Sequence, residues 1–220
     1  MTFIINEYYH LYNRGAHKAP IFIDNEDYRR FIQLLYVVND TLKNKRRCDL
    51  RRIRPSDMFT YERDTSINII AYCLMPNHFH IVLKGETENG VHHFVHRLCT
   101  AYAMYYNKKY DHSGTIFQGS CKSKYVDTDD YLRYLIQYIH LNPFGIIEPD
   151  MNRLAKTEYL DKAIAYSKTY EYSSYKDYLG VIRPQNVIIV SAQVRPAHTN
   201  TPYTKPPPLE AGVGLNRNLT

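Results

Sequence analysis

SINIIAYCLMPNHFHIVLKG, residues 66–85, reads as two strands joined by a tight turn. Its first half, 66–75, is apolar on both faces and β-branched early, the pattern of a central strand. Pro76-Asn77 is turn chemistry, and HFHIVLKG (78–85) returns as the second strand of a hairpin. Side chains alternate along a strand, so His78 and His80 fall on one face, where two imidazoles can converge on one metal ion.

The flanks extend this hairpin into a domain. KNKRRCDLRRIR (43–54) sets Lys43, Lys45, Arg46, Arg47, Arg51, Arg52 and Arg54 against Asp49 alone. Like charges this dense resist burial, so the segment reads as an exposed arm. Before it, Phe31, Leu34, Leu35 and Val38 recur at helical spacing behind Asp24, an N-cap with Glu26 and Asp27 in the first turn. EYYHLYNRG (7–15) alternates until Asn13-Arg14-Gly15 breaks it, a first strand and turn. After the hairpin, Val91, Phe94, Val95, Leu98, Tyr102 and Tyr105 predict a second helix from about Glu88 to Lys108, with His92, His96, Lys108 and Lys109 off its apolar stripe. FQGSCKSKYVD (117–127) reads as a fourth strand with Lys122 and Lys124 on one face. DTDDYLRYLIQYIHLNP (127–143) opens with acids and stops at Pro143, as a third helix should. The order β-α-β-β-α-β followed by α predicts an α+β, ferredoxin-like antiparallel sheet, open on one face, with an added C-terminal helix. Residues 146–192 read as a helical extension, helical from Leu154 to Tyr166 and turn-like around YEYSSYKDYLG (170–180). The tail, 193–220, contains Pro206-Pro207-Pro208 and reads as disordered.

Composition narrows the function. The 220 residues hold 28 Lys+Arg against 22 Asp+Glu, a net charge of +6, which favours a polyanionic partner, nucleic acid above all. No apolar stretch approaches the roughly 18 residues of a membrane span, and MTFIINEYYH lacks the features of a signal peptide. Cys48, Cys73, Cys99 and Cys121 are widely spaced, with no C-x-x-C pair, so neither a zinc knuckle nor a dense disulfide framework is indicated. A reduced cytoplasm is the expected setting. The 22 Tyr against no Trp are ambiguous, since tyrosine serves as core, stacking surface or nucleophile.

Three groups of residues are candidates for chemistry. With 10 His in 220 residues, about 0.45 His-x-His pairs arise by chance, so His78 and His80 need context. Tyr138 and Asn142 stand at i and i+4 on the third helix, offering a phenol and an amide on one face, with Tyr134 and Tyr131 one and two turns earlier. A tyrosine so spaced among leucines is most often core. His92 and His96 have a chelating spacing, but His93 stands where the zinc metalloprotease motif requires Glu, so that reading is rejected for a solvated or phosphate-facing surface. No Gly-rich phosphate loop, Gly-x-Ser-x-Gly elbow or RNP1-type motif is present.

Taken in order, HLYNRG, PIFIDNEDYRRFIQLL, AYCLMPNHFHIVL, GTIFQGSCKSKYVD and YLRYLIQYIHLNP resemble the single-tyrosine HUH transposases, among them the REP-associated tyrosine transposases and their IS200-like relatives. The resemblance spans about residues 8–145, and MPNHFHIVL paired with YIHLNP is its most specific part. The later YSSYKDYLG resembles a segment common in the same proteins. The resemblance implies that 1–145 is the catalytic domain, that His78 and His80 are metal ligands with Asn142 as the third, and that Tyr138 is the nucleophile, while the basic insertion at 43–65 departs from the family pattern. Mg²⁺ or Mn²⁺ is the implied cofactor: imidazoles alone would suit zinc, but carboxamide and phosphate oxygens suit the harder ions. Single-stranded or hairpin DNA is the implied partner, contacted by Arg14, Lys122, Lys124, Arg46, Arg47, Arg51 and Arg52.

One departure from the family pattern is that Ser120 follows Gly119 where Arg is common, so a phosphate contact is either lost or moved to Lys122 and Lys124. The expected function is a transposase that cleaves and rejoins DNA through a 5′-phosphotyrosine. The alternatives are a replication or mobilisation nickase with the same chemistry, and a nucleic-acid-binding regulator that kept the fold without catalysis. Both a homodimer and a monomer fit the resemblance.

Overall fold

The strands of the protein are β1 (Tyr8–Arg14), β2 (Ile67–Met75), β3 (His78–Gly85) and β4 (Lys122–Val126), all paired antiparallel in the order β2-β3-β1-β4. The structure, a computed structural model, describes residues 3–41, 59, 63–150, 153, 154 and 156–189. Residues 43–54, with the predicted contacts Arg46, Arg47, Arg51 and Arg52, and the 193–220 tail lie outside the described residues. The helices are α1 (Asn25–Val37), α2 (Gly90–Lys109), α3 (Asp129–Leu141), α4 (Thr157–Thr169) and the short α5 (Tyr175–Tyr178). The element order and strand order are those of the ferredoxin-like arrangement. Among the described residues no helix is long and apolar enough to cross a membrane.

Local chemistry starts α1 and α3. The Asp24 side chain accepts from the backbone N–H groups of Glu26 and Asp27, and Asp27 reciprocates to the Asp24 N–H, a complete capping box. Thr128 caps α3 through the Tyr131 N–H, with Asp129 and Asp130 in the first turn, and Pro143 opens a 3-10 turn over Asn142–Ile146. α1 and α2 cover one face of the sheet, packing Phe31, Leu35, Phe94, Leu98 and Tyr102 against Leu11, Phe79, Ile81 and Leu83.

The other face is not open, contrary to expectation. α3 covers it with Leu132, Leu135, Ile136 and Ile139, set against Ile70, Cys73, Met75, Val82 and Val126. Those sheet residues are apolar, so leaving them in water would forfeit roughly 1.5–3 kcal/mol for each large side chain. β2 differs from expectation as well, since it is the edge strand of the four rather than a central one. Its edge is nevertheless bonded: the Leu74 N–H donates to Tyr172 O at 2.9 Å and the Ser174 N–H to Tyr72 O at 2.9 Å, which protects an otherwise open edge. A register shift between Ile69 and Ala71 changes which residues face which layer, sending Ile69 and Tyr72 to α1 and α2, and Ile70, Ala71 and Cys73 to α3.

One further expectation changes. The fourth strand is Lys122–Val126 rather than 117–127, because Gly119 adopts φ +92° and Phe117 forms only an isolated bridge to Gly15. Lys109, off the apolar stripe of α2, is half-buried among carboxylates. Its ammonium lies 2.8 Å from Asp24 and 2.9 Å from the fully buried Asp27, tying the end of α2 to the start of α1.

Candidate functional site

The pairing of β1 with β3 builds the site. Arg14 stands opposite His78, Tyr12 opposite His80 and His10 opposite Val82, while Lys122 and Lys124 of β4 pair with Tyr12 and His10. With side chains alternating, His10, Tyr12, Arg14, His78, His80, Lys122 and Lys124 share the face that α3 partly covers. A small pocket of about 50 Å³ opens there, lined by Tyr12, Arg14, His78, His80, Gln118 and Lys122, with Asn13 and Phe79.

His80 is 3% exposed, and its Nδ1 lies 2.9 Å from His10 Nε2. Its Nε2 is buried and has no hydrogen-bond partner. Burial, then the neighbouring His10 and His78, hold the His80 imidazole neutral, with its pKa well below the usual histidine range. His78 Nδ1 lies 2.6 Å from Asn77 Oδ1. Burial and the Arg14 charge push the His78 pKa down to about 4, against the upward pull of its hydrogen bond with the Asn142 side chain. Asn142 is buried and helical in backbone, one turn after Tyr138.

Tyr138 is half-buried, its ring 6.0 Å from that of His80 and nearly perpendicular to it. Tyr131, Tyr134 and Tyr138 form a ladder along α3 with centroid spacings of 6.4 and 6.3 Å. Lys124 Nζ lies 5.0 Å from the Tyr131 ring centre, and Lys122 borders the pocket. Arg14 Nε is buried without a hydrogen-bond partner, beside the His78 imidazole on which its charge acts.

The structure thus brings together His78, His80, Asn142, Tyr138, Arg14 and Lys122 from β1, β3, β4 and the end of α3. His92, His93 and His96 are exposed on α2, across the sheet from this pocket. Sequence reasoning missed His10, Tyr12, Asn77 and Gln118. For His10 and Tyr12 the signal was present, because counting back by two from Arg14 on an alternating strand reaches both.

Two imidazoles held neutral by burial, one with a bare Nε2, and a nearby carboxamide form a donor set that fits one divalent cation. Among the described residues no cluster of three or more His, Cys, Asp or Glu is arranged to hold a metal. The family described as "Transposase IS200 like" matches residues 6–142. A solved structure described as "Structure of the REP associates tyrosine transposase bound to a REP hairpin" aligns with a TM-score of 0.46 at 11% identity, covering 84% of this chain and 87% of that one. No curated protein matches.

Proposed function

The chain belongs to the IS200-like transposase family, and from that premise we propose that it is a metal-dependent single-stranded DNA endonuclease and strand transferase with Tyr138 as nucleophile. The observation that carries the reading is the convergence of Tyr138 and Asn142, one turn apart at the end of α3, on His80 and His78 of β3. His78, His80 and Asn142 would hold Mg²⁺ or Mn²⁺, which when bound supplies Lewis-acid polarisation of the scissile phosphate.

The chain's own groups do the rest. Arg14 and Lys122 border the pocket and offset the charge of an incoming phosphodiester. The Tyr138 phenol loses its proton as its oxygen attacks phosphorus, and the bond from phosphorus to the 3′ oxygen breaks. The departing 3′ oxygen gains a proton, leaving a 3′-OH and a 5′-phosphotyrosine. The phosphotyrosyl bond keeps the energy of the phosphodiester, so a 3′-OH from another end can reverse the step and join strands without ATP. Hairpin or palindromic DNA is the proposed substrate, and the cytoplasm, with the nucleoid when DNA is bound, the proposed location.

The test is to incubate the purified protein with labelled single-stranded hairpin DNA in Mg²⁺, Mn²⁺ or EDTA, beside Tyr138→Phe and His80→Ala. A covalent adduct should form with metal, and disappear with EDTA and in both variants. An adduct that persists in Tyr138→Phe would move the nucleophile to Tyr134 or Tyr12. Tight binding with no adduct under any condition would favour a regulator of the same fold.

A further inference from the structure

We propose that His10 is a positioning residue that fixes the tautomer and orientation of His80, and so sets the affinity of the His78–His80–Asn142 site for a divalent cation. The inference rests on the metal reading above. His10 is 2% exposed, and its ring stacks on that of His80 with centroids 5.1 Å apart and planes 25° apart. Register makes the two diagonal neighbours on β1 and β3, since His80 is opposite Tyr12 and His10 opposite Val82.

A single hydrogen lies between His10 Nε2 and His80 Nδ1, 2.9 Å apart, so two neutral imidazoles have two arrangements. In one, His80 Nδ1–H donates to His10 and His80 Nε2 presents a lone pair. In the other, His10 Nε2–H donates, and His80 Nε2 carries a hydrogen that no cation can replace without a tautomer change. His80 Nε2 and His10 Nδ1 are both buried without partners. Either arrangement therefore leaves one buried donor and one buried acceptor, and a cation at His80 Nε2 favours the first by occupying the acceptor. His10 is not itself a ligand in this scheme, because its Nε2 is engaged by His80.

The choice of imidazole has a physical reason. Ligand histidines usually give their second N–H to a carboxylate, a carbonyl or water. A carboxylate behind His80 would place negative charge in a pocket that has to admit a phosphodiester. A neutral imidazole orients the ligand at no charge, and the residue paired with His10 on β4 is Lys124, which is cationic.

The test measures Mn²⁺ binding to the full chain by calorimetry, without DNA, for wild type, His10→Phe, His10→Gln and His80→Ala. His10→Phe keeps a ring and removes the acceptor, and should weaken Mn²⁺ roughly 10–100-fold; His10→Gln restores an acceptor and should stay within about threefold of wild type. Should His10→Phe fail to fold, His10→Met takes its place. Nitrogen-15 spectra with Mg²⁺ should show His80 protonated at Nδ1 in wild type and as a tautomer mixture in His10→Phe. Equal Mn²⁺ affinity in wild type and His10→Phe would overturn the inference while leaving the metal reading intact. His10→Gln as weak as His10→Phe would reduce His10 to packing and overturn it as well. No Mn²⁺ binding by the wild type would overturn the metal reading and this inference with it.

Discussion

Replacing Ser174 by Ala should loosen the helix that carries Tyr138 while leaving the sheet's pairing intact. Ser174 is fully buried. Its Oγ accepts from the Tyr72 N–H at 2.9 Å and lies 2.8 Å from His140 Nε2, joining the edge of β2 to α3 between Tyr138 and Asn142. The alanine removes that hydroxyl from the Tyr72 N–H, from His140 Nε2 and, at 3.3 Å, from Tyr72 O, of which Tyr72 O keeps the Ser174 N–H and the other two lose that bond. Each loss costs about 1–3 kcal/mol, so a destabilisation of about 2–4 kcal/mol is expected after local relaxation. For a chain of this size that corresponds to a fall in Tm of about 5–15 °C. Urea and thermal unfolding, followed by circular dichroism, measure it. Ser173→Ala is the control: among the described residues the Ser173 side chain accepts a single 3.3 Å bond, from the Tyr175 N–H, and the loss should stay below about 1 kcal/mol. Adduct formation by Ser174→Ala should fall further than DNA binding does, because His140 stands between Tyr138 and Asn142. A Ser174→Ala protein within about 0.5 kcal/mol of wild type, or no weaker than Ser173→Ala, would refute the reasoning.

Three other outcomes follow from the same geometry. A Cβ at Gly15 would stand 2.0 Å from Ala19 O, a backbone atom, so Gly15→Ala should shift the loop next to Arg14, cost about 1–3 kcal/mol in urea unfolding and weaken hairpin binding. Burial would raise the Asp27 carboxyl pKa, but hydrogen bonds from Tyr110, the Ile23 N–H, Lys109 and the Asp24 N–H outweigh it and hold the pKa below the usual carboxylate range. Its stabilisation is therefore present above the unfolded pKa and lost as pH falls through the lower folded value. The stability advantage of wild type over Asp27→Asn at pH 7 should narrow progressively below about pH 4 in denaturation at stepped pH. Lys122→Ala should flatten the dependence of log K on log salt by about 0.7 for single-stranded DNA; an unchanged slope in fluorescence anisotropy titrations would remove Lys122 from the phosphate contacts.

Much of this architecture was legible in local chemistry. The hairpin at 66–85, the cap at Asp24 and the stop at Pro143 each depend on a few adjacent residues, so short-range reasoning reached them. His78 and His80 share a face because the period of a strand is two, and Tyr138 and Asn142 share one because a helical turn is close to four. The late start of the fourth strand has a local cause, the positive φ of Gly119, and the other misreadings involve partners distant in sequence. β2 looks central because its edge is bonded by residues 172–174 and its second face is buried under α3, about a hundred and about sixty residues further on. The register shift at Ile69–Ala71 is invisible in a segment that is apolar throughout. His10 looks like one more polar residue on a half-buried strand until β1 is paired with β3, and only then does it stand against His80.

The most direct measurement is mass spectrometry of the covalent complex. Wild-type protein is incubated with hairpin DNA and Mn²⁺, the DNA is trimmed with nuclease, and the tyrosine that keeps a 5′-linked nucleotide is located by peptide sequencing. The account predicts the nucleotide on Tyr138, within YLIQYIHLNP, and no such peptide when EDTA is present. A nucleotide on Tyr134 or Tyr12, or its attachment in the absence of any divalent metal, would contradict it.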